Sequence, residues 1–264
     1  MNIIDVGDAE AVAEGTDIPV AKLTQSVAKV KVSKIGKAVA FTDEAMLSGA
    51  GDISNEAASQ ILTAINSGVE VALTKDMRTN ATLTASISAA GDPADDIADA
   101  LTNFGEDIEG AKVLAIPPEF YARLRKTKSW IPNSEIGADM IVKGRVGMVH
   151  GCEVITSNRL SAHNEYAKTT DTTVDSGKTY YIYDGGQWKA VVSPTDADIA
   201  TYYEATAVAA NAFIIKPNAL AIYMKRDTLV EFDRDKLAQI NYIIGSKLFA
   251  PYVYDKSKLI KLTF

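Results

Sequence analysis

The sequence predicts an α+β protein, and three observations predict it. A lysine-studded stretch near the N-terminus alternates with period two, residues 53–79 carry an apolar stripe at helical spacing, and residues 219–264 return to strand patterning. Helix and strand signals thus both occur along the chain.

Residues 1–11 are a short acidic lead. Residues 12–47 read as a long β-hairpin: Ala28, Val30 and Val32 alternate with Lys29, Lys31 and Ser33, the signature of a strand with one covered and one wet face. Lys34-Ile35-Gly36-Lys37 reads as its turn, with the glycine where a positive φ is expected, and Ala38 to Thr42 as the returning strand. Between Thr16 and Thr42 stand Lys22, Lys29, Lys31, Lys34 and Lys37 against Asp17, a local charge of +4 on a chain of net −7. An isolated hairpin is marginal in water, so a basic arm on an acidic body is expected to grip an acidic neighbour. That expectation points to assembly rather than catalysis.

Residues 48–79 hold the long helix. Ala58, Ile61, Leu62, Ile65, Val69, Ala72 and Leu73 form its expected stripe, with Asp52 or Ser54 as cap and Glu56 near the positive end of the dipole. Its length, about 40 Å at 1.5 Å per residue, suits a structural spine.

Residues 80–223 form the next region. Asp92-Pro93 opens an amphipathic helix through Ile97, Ala98, Leu101 and Phe104. Residues 92–109 contain Asp92, Asp95, Asp96, Asp99, Glu106, Asp107 and Glu109 and no base. Of these, Asp95, Asp96, Asp99, Glu106, Asp107 and Glu109 are the candidate docking surface for basic groups on another copy; a solvated face is the plainer alternative. Lys112 to Ile116 reads as a short buried strand, and Pro118 suits the first turn of a helix over 119–126. Residues 144–159 read as strand, glycine turn, strand. Residues 165–206 read as an inserted hairpin with Asp184-Gly185-Gly186 as its tight turn. Residues 224–264 supply the closing strands.

Composition bounds the function classes. With 264 residues, 47% hydrophobic and 23% charged, the chain can bury one large core or two lobes. The single cysteine, Cys152, excludes an intrachain disulfide, so folding in a reducing, intracellular site is expected. No apolar run approaches the roughly 20 residues of a membrane span, and the acidic start lacks the pattern of a secretory signal. A soluble, unsecreted protein without a membrane partner is the expectation. A pI near 5.0 argues against wrapping nucleic acid, because phosphate affinity comes chiefly from lysine and arginine.

Catalytic chemistry is not legible. His150 and Cys152 would share a face if their segment is a strand but lack an orienting third group, and the histidines, His150 and His163, are too few with Cys152 for a zinc site. Ser176-Gly177-Lys178-Thr179 imitates the tail of a phosphate loop, yet Thr172 stands where the first glycine belongs. Asp233 and Asp235 flank Arg234 without the glycine and distal glutamate of a calcium loop. The sequence therefore assigns no catalytic, cofactor-binding or metal residues and predicts no enzyme.

The order of parts carries a resemblance. VAEGTDIPVAKLT, the K-V-K-V-x-K-x-G-K-x-V hairpin ending in FTDEAML, the long helix, AKVLAIPPEFYARLRK, GRVGMVHGCEVITSNRL and the closing MKRDTLVEFDRDKLAQINYIIGSKLFAPYVYDKSKLIKL together resemble tailed-bacteriophage major capsid proteins of the Hong Kong 97-like fold. The resemblance covers nearly the whole chain. It implies residues 1–11 as the remnant of an N-terminal arm, 12–47 as the extended E-loop, 48–79 as the P-domain spine helix, 80–223 as the A-domain with the 165–206 insertion, and 224–264 as the P-domain return. It implies a structural subunit assembling through pentamers and hexamers into an icosahedral shell around double-stranded DNA, inside the host bacterial cytoplasm. Scaffolding, portal and decoration proteins would be its partners, packaged DNA would be held non-specifically, and no cofactor is implied. On this reading the E-loop lysines, Lys22, Lys29, Lys31, Lys34 and Lys37, make the intersubunit contact. An encapsulin-like compartment shares the fold and stays open as the alternative; a non-shell binding module and an enzyme are the remaining readings.

Overall fold

The computed structural model describes residues 2–3, 11, 20, 25–26, 30–48, 52–89, 91–106, 108–126 and 147–264. They divide into two compact units, 1–82 with 216–259 and 83–215 with 260–264.

The first unit is a helix laid on a sheet. Strand β3 (Ser33–Thr42), β13 (Leu220–Asp235) and β14 (Ile240–Val253) form an antiparallel sheet in the order β13-β14-β3, preceded in the chain by the two-residue pair β1 (Asn2–Ile3) and β2 (Gln25–Ser26). Helix α1 (Asp43–Ser48) follows β3 directly, and α2 (Ile53–Asn80) is the long helix, about 42 Å at 1.5 Å per residue. Asp52 caps α2 by accepting from the Asn55 N–H at 3.1 Å. Ala57, Ile61 and Ile65, one turn apart in succession, are buried against Ile243, with Ile35, Val39, Phe41 and Val230 packed around them. The other end of the helix is tied by Asp76, whose carboxylate accepts from the Val253 N–H and from Asn80 Nδ2, both at 2.8 Å.

Two expectations are corrected here. Lys34-Ile35-Gly36-Lys37 is not a turn: β3 runs straight through it and pairs with β14 from Ser33↔Phe249 to Thr42↔Ile240. Gly36 serves close approach, since a β-carbon there would stand 3.1 Å from the Gly245 carbonyl oxygen. Val30, Lys31 and Val32 are not strand, and Ala28 and Lys29 lie outside the described residues. The helical stripe is also narrower than expected. Leu62 is exposed and Ala58 half-buried, because the sheet lies on the side of Ala57, Ile61 and Ile65 and residues about 100° further round point away from it.

The second unit centres on a mixed six-stranded sheet in the order β4-β15-β12-β5-β7-β6. Its strands are β4 (Leu83–Ser86), β5 (Lys112–Ile116), β6 (Met148–Val149), β7 (Cys152–Thr156), β12 (Asn211–Ile215) and β15 (Leu259–Thr263). β5 lies mid-sheet, parallel to β7 and antiparallel to β12, which is why its run is apolar without alternation. Helix α3 (Pro93–Leu101) continues as a 3-10 turn through Phe104, and α4 (Pro118–Leu124) begins with Pro118 at its first turn. Ile97, Leu101, Phe104, Phe120 and Leu124 from these helices close the core over Leu114, Ile116, Val154, Ile214, Ile260 and Leu262. His150 (φ 46) and Gly151 (φ 76) make the left-handed turn between β6 and β7, as the glycine pattern predicts.

The 165–206 segment is more than the single hairpin expected. β8 (His163–Lys168), β9 (Tyr180–Asp184), β10 (Gln187–Ala190) and β11 (Tyr203–Val208) form a four-stranded antiparallel sheet in the order β10-β9-β11-β8. Only its β9–β10 arm has the local signal: Gly185 (φ 60) and Gly186 (φ 83) make a two-residue turn of the type that matches strand twist. Among the described residues, no helix is long and apolar enough to cross a membrane.

Candidate intersubunit surfaces

Charge is where sequence reasoning placed the site, and the two units carry it separately. Lys31, Lys34 and Lys37 are exposed, and among the described residues none forms an ion pair within the chain. Lys34 and Lys37 lie on β3, an edge strand of its sheet, where lysine discourages indiscriminate strand addition. They do not share a face. Alternation puts Lys37 on the side of Ile35 and Val39 and Lys34 on the other. Lys31 stands at the mouth of a groove of about 570 Å³ lined also by Lys75, Asp76, Tyr252 and Lys256. Lys22 and Lys29 lie outside the described residues.

Within the second unit, Asp95 and Asp99 project from α3 and Glu106 and Glu109 follow it, all four exposed. Asp96 is half-buried and engaged, accepting from the Ser88 N–H at 2.8 Å, and Asp92 caps the helix by accepting from the Ala94 N–H at 2.9 Å. Asp107 lies outside the described residues. Two of the seven acids therefore organise their own helix. The exposed four form no ion pair among the described residues.

An apolar surface escaped the sequence reading. The β13–β14 hairpin turns at Lys236–Gln239, where Asp235 accepts from the Leu237 and Ala238 N–H groups and Gln239 takes φ 54. Leu237 is 98% and Phe232 68% exposed. Phe232 lines a groove of about 420 Å³ with Phe41, Met46, Tyr242 and Ile243. Its wall is pinned by Asp43, whose carboxylate accepts from Asn241 Nδ2 at 2.6 Å and pairs with Arg234, holding its pKa below the ordinary aspartate value. The available signal was a large apolar residue set among charges in VEFDRDKLAQ, which composition over a window hides.

Cys152, Lys112 and Lys178, which could carry chemistry, are buried or already paired. Cys152 is buried, and burial pushes its thiol up to about 11, with the Lys112 charge only partly opposing, so no thiolate nucleophile exists near neutrality. Lys112 is itself spoken for, donating to the Ile108 and Gly110 carbonyls at 2.5 and 3.1 Å. Lys178 of the phosphate-loop imitation is held by Asp171 at 2.8 Å and Glu204 at 3.2 Å, which raises its pKa. Among the described residues, no three metal-ligating side chains cluster.

The sequence matches the family of phage capsid proteins over residues 26–235, most of both units. The chain belongs to the phage capsid protein family. It is a structural shell protein, and capsid assembly is its function. This capsid chain is 27% identical, over 97% of its length and 76% of the relative's, to the major capsid protein of Staphylococcus phage phiMR11. Its fold is similar to the capsid of the cyanophage P-SCSP1u, with a TM-score of 0.64 at 14% identity, covering 99% of this chain and 81% of that one. An encapsulin complex from Synechococcus elongatus is also similar in fold, with a TM-score of 0.53 at 12% identity, covering 88% of this chain and 73% of that one.

Proposed function

We propose that this capsid protein is the major head subunit of a tailed phage, with a Hong Kong 97-like fold, assembling through pentamers and hexamers into an icosahedral shell around double-stranded DNA. On this reading residues 12–47 are the E-loop, 48–79 and 224–264 the P-domain and 80–223 the A-domain. The β13–β14 hairpin end carries the proposal most directly: Leu237 and Phe232 expose apolar surface that an isolated subunit gains nothing by exposing and that a neighbour would bury. Lys31, Lys34 and Lys37 then meet acidic surface of an adjacent copy, with Asp95, Asp99, Glu106 and Glu109 the acids available to them. Scaffolding, portal and decoration proteins would join the same shell, built in the host cytoplasm, and packaged DNA would be enclosed without sequence preference, repelled rather than gripped by the acidic chain.

The likeness to an encapsulin supports a second reading, a cellular compartment enclosing an enzyme. Negative-stain electron microscopy of the purified protein, with light scattering across ionic strength, tests both. Closed polyhedral shells or five- and six-fold rings are expected. Shells that co-purify with a protein cargo and no DNA would favour the compartment; a chain that never assembles at any concentration would overturn both.

A further inference from the structure

The four-stranded sheet of the second unit has two unlike faces. One is packed, with Tyr180, Ile199 and Tyr202 buried against Val174 and Val191. The strand registers put five rings on the other: Tyr166, Tyr181, Tyr183, Trp188 and Tyr203. Trp188 and Tyr166 belong to the two edge strands, three spacings or about 14 Å apart. Their rings nevertheless stack, with centroids 4.3 Å apart and planes within 13°. Both side chains therefore lie across the middle strands rather than standing away from them. Tyr203 and Tyr183 meet Trp188 at 4.9 and 5.0 Å, and Tyr181 meets Tyr166 at 5.2 Å. The result is one continuous aromatic layer.

This layer is open. Tyr183 is 61% exposed, and Ala190 and Ala207 on the same face are exposed too, so the small residues leave steps beside the rings. It is also nearly uncharged, since Lys168 is the only Lys, Arg, Asp or Glu that alternation brings to this side. Nucleic acid does not fit, because stacking platforms for bases come with a row of cations for the phosphates, and residues 163–208 hold seven acids against three lysines. A protein partner fits poorly for size. Four short strands offer a face of about 19 by 17 Å, roughly 300 Å², against about 800 Å² per partner in a stable protein interface.

A flat, neutral ligand with alternating apolar and hydroxylated edges does fit. The C–H face of a pyranose can lie on an aromatic ring, while phenol hydroxyls and the indole N–H answer its hydroxyl groups. We propose that this face is a binding platform for a neutral polysaccharide chain of pyranose units, a function beyond shell formation that resides within one unit of the subunit.

The test uses the full chain with Trp130→Phe, which leaves Trp188 as the sole indole. Maltohexaose, cellohexaose and chitohexaose are titrated while Trp188 emission is read. At least one should give a saturating change, and Tyr183→Ala, which removes an exposed ring, should weaken half-saturation about tenfold or more with an unchanged far-ultraviolet circular dichroism spectrum. Sedimentation velocity of both proteins forms the second arm. No saturation with any of the three sugars overturns the proposal, as does equal binding by the Tyr183→Ala chain. Loss of self-association in Tyr183→Ala without any sugar response would assign the face to a second copy and overturn it as well.

Discussion

Gly245 of β14 lies so close under Ile61 of α2 that a β-carbon on the glycine would stand 2.3 Å from the Ile61 γ2 methyl, and 2.7 Å from Ile65 Cδ1. Real β-carbons do not approach so near, so the helix reaches the sheet only because position 245 has no side chain. The Ala57–Ile61–Ile65 stripe and the glycine are two halves of one packing arrangement.

Gly245→Ala must therefore lift α2 or distort β14. It is expected to lower unfolding stability by about 1–3 kcal/mol, as overpacking does, read as a shift in the denaturant midpoint. Ile61→Ala alone is expected to cost about 2–5 kcal/mol through the cavity it leaves. The double variant should be less damaged than the two losses combined, because each change relieves the other. Simple additivity would refute the contact.

Cys152 supplies a pH test. Its thiol is raised from 9.0 to about 11 in the folded protein by burial, so between those values the unfolded chain releases a proton that the folded chain retains. Stability is then fully present below pH 9 and falls as pH rises towards 11. Cys152→Ala should show a shallower decline over that window than the parent chain, both measured by denaturant titration. In the folded parent, a thiol reagent at pH 8 should react only as fast as the chain opens.

The four-stranded sheet has an acid limit of the opposite sign. Asp171 accepts from Lys178 and from the Tyr180 hydroxyl at 3.0 Å, which holds its pKa below the ordinary aspartate value. Its contribution is present above the unfolded aspartate pKa and is lost as pH falls through the lower folded value. Near-ultraviolet circular dichroism of the neighbouring rings should lose intensity on acidification, and Asp171→Asn should reduce the signal's thermal resistance at pH 7 while flattening its acid dependence.

Reversing Lys31, Lys34 and Lys37 to glutamate breaks no ion pair among the described residues. The free subunit should therefore keep its stability to within about 0.5 kcal/mol, while shell formation, followed by light scattering, fails or requires much higher protein concentration. Normal shells from the triple variant would sink the electrostatic role of these lysines.

What the sequence could determine was local. The cap at Asp52, the α3 start at Asp92-Pro93, the unalternating run of β5 and the two glycine turns all depend on residues within a few positions of one another, and each is present. Tertiary structure decided the rest. Ser33–Thr42 pairs with residues 240–249, about two hundred positions away, and that ladder turns an expected arm tip into a sheet edge with its lysines divided between two faces. Gly36 looked like a turn residue because sequence cannot show the Gly245 carbonyl that demands its small size. The rings of Tyr166 and Trp188 are 22 positions apart and on opposite edge strands, and they meet only because the registers put both on one face of the sheet. Periodicity reports which residues seek cover; only the fold, by fixing register between distant strands, decides which of them find it.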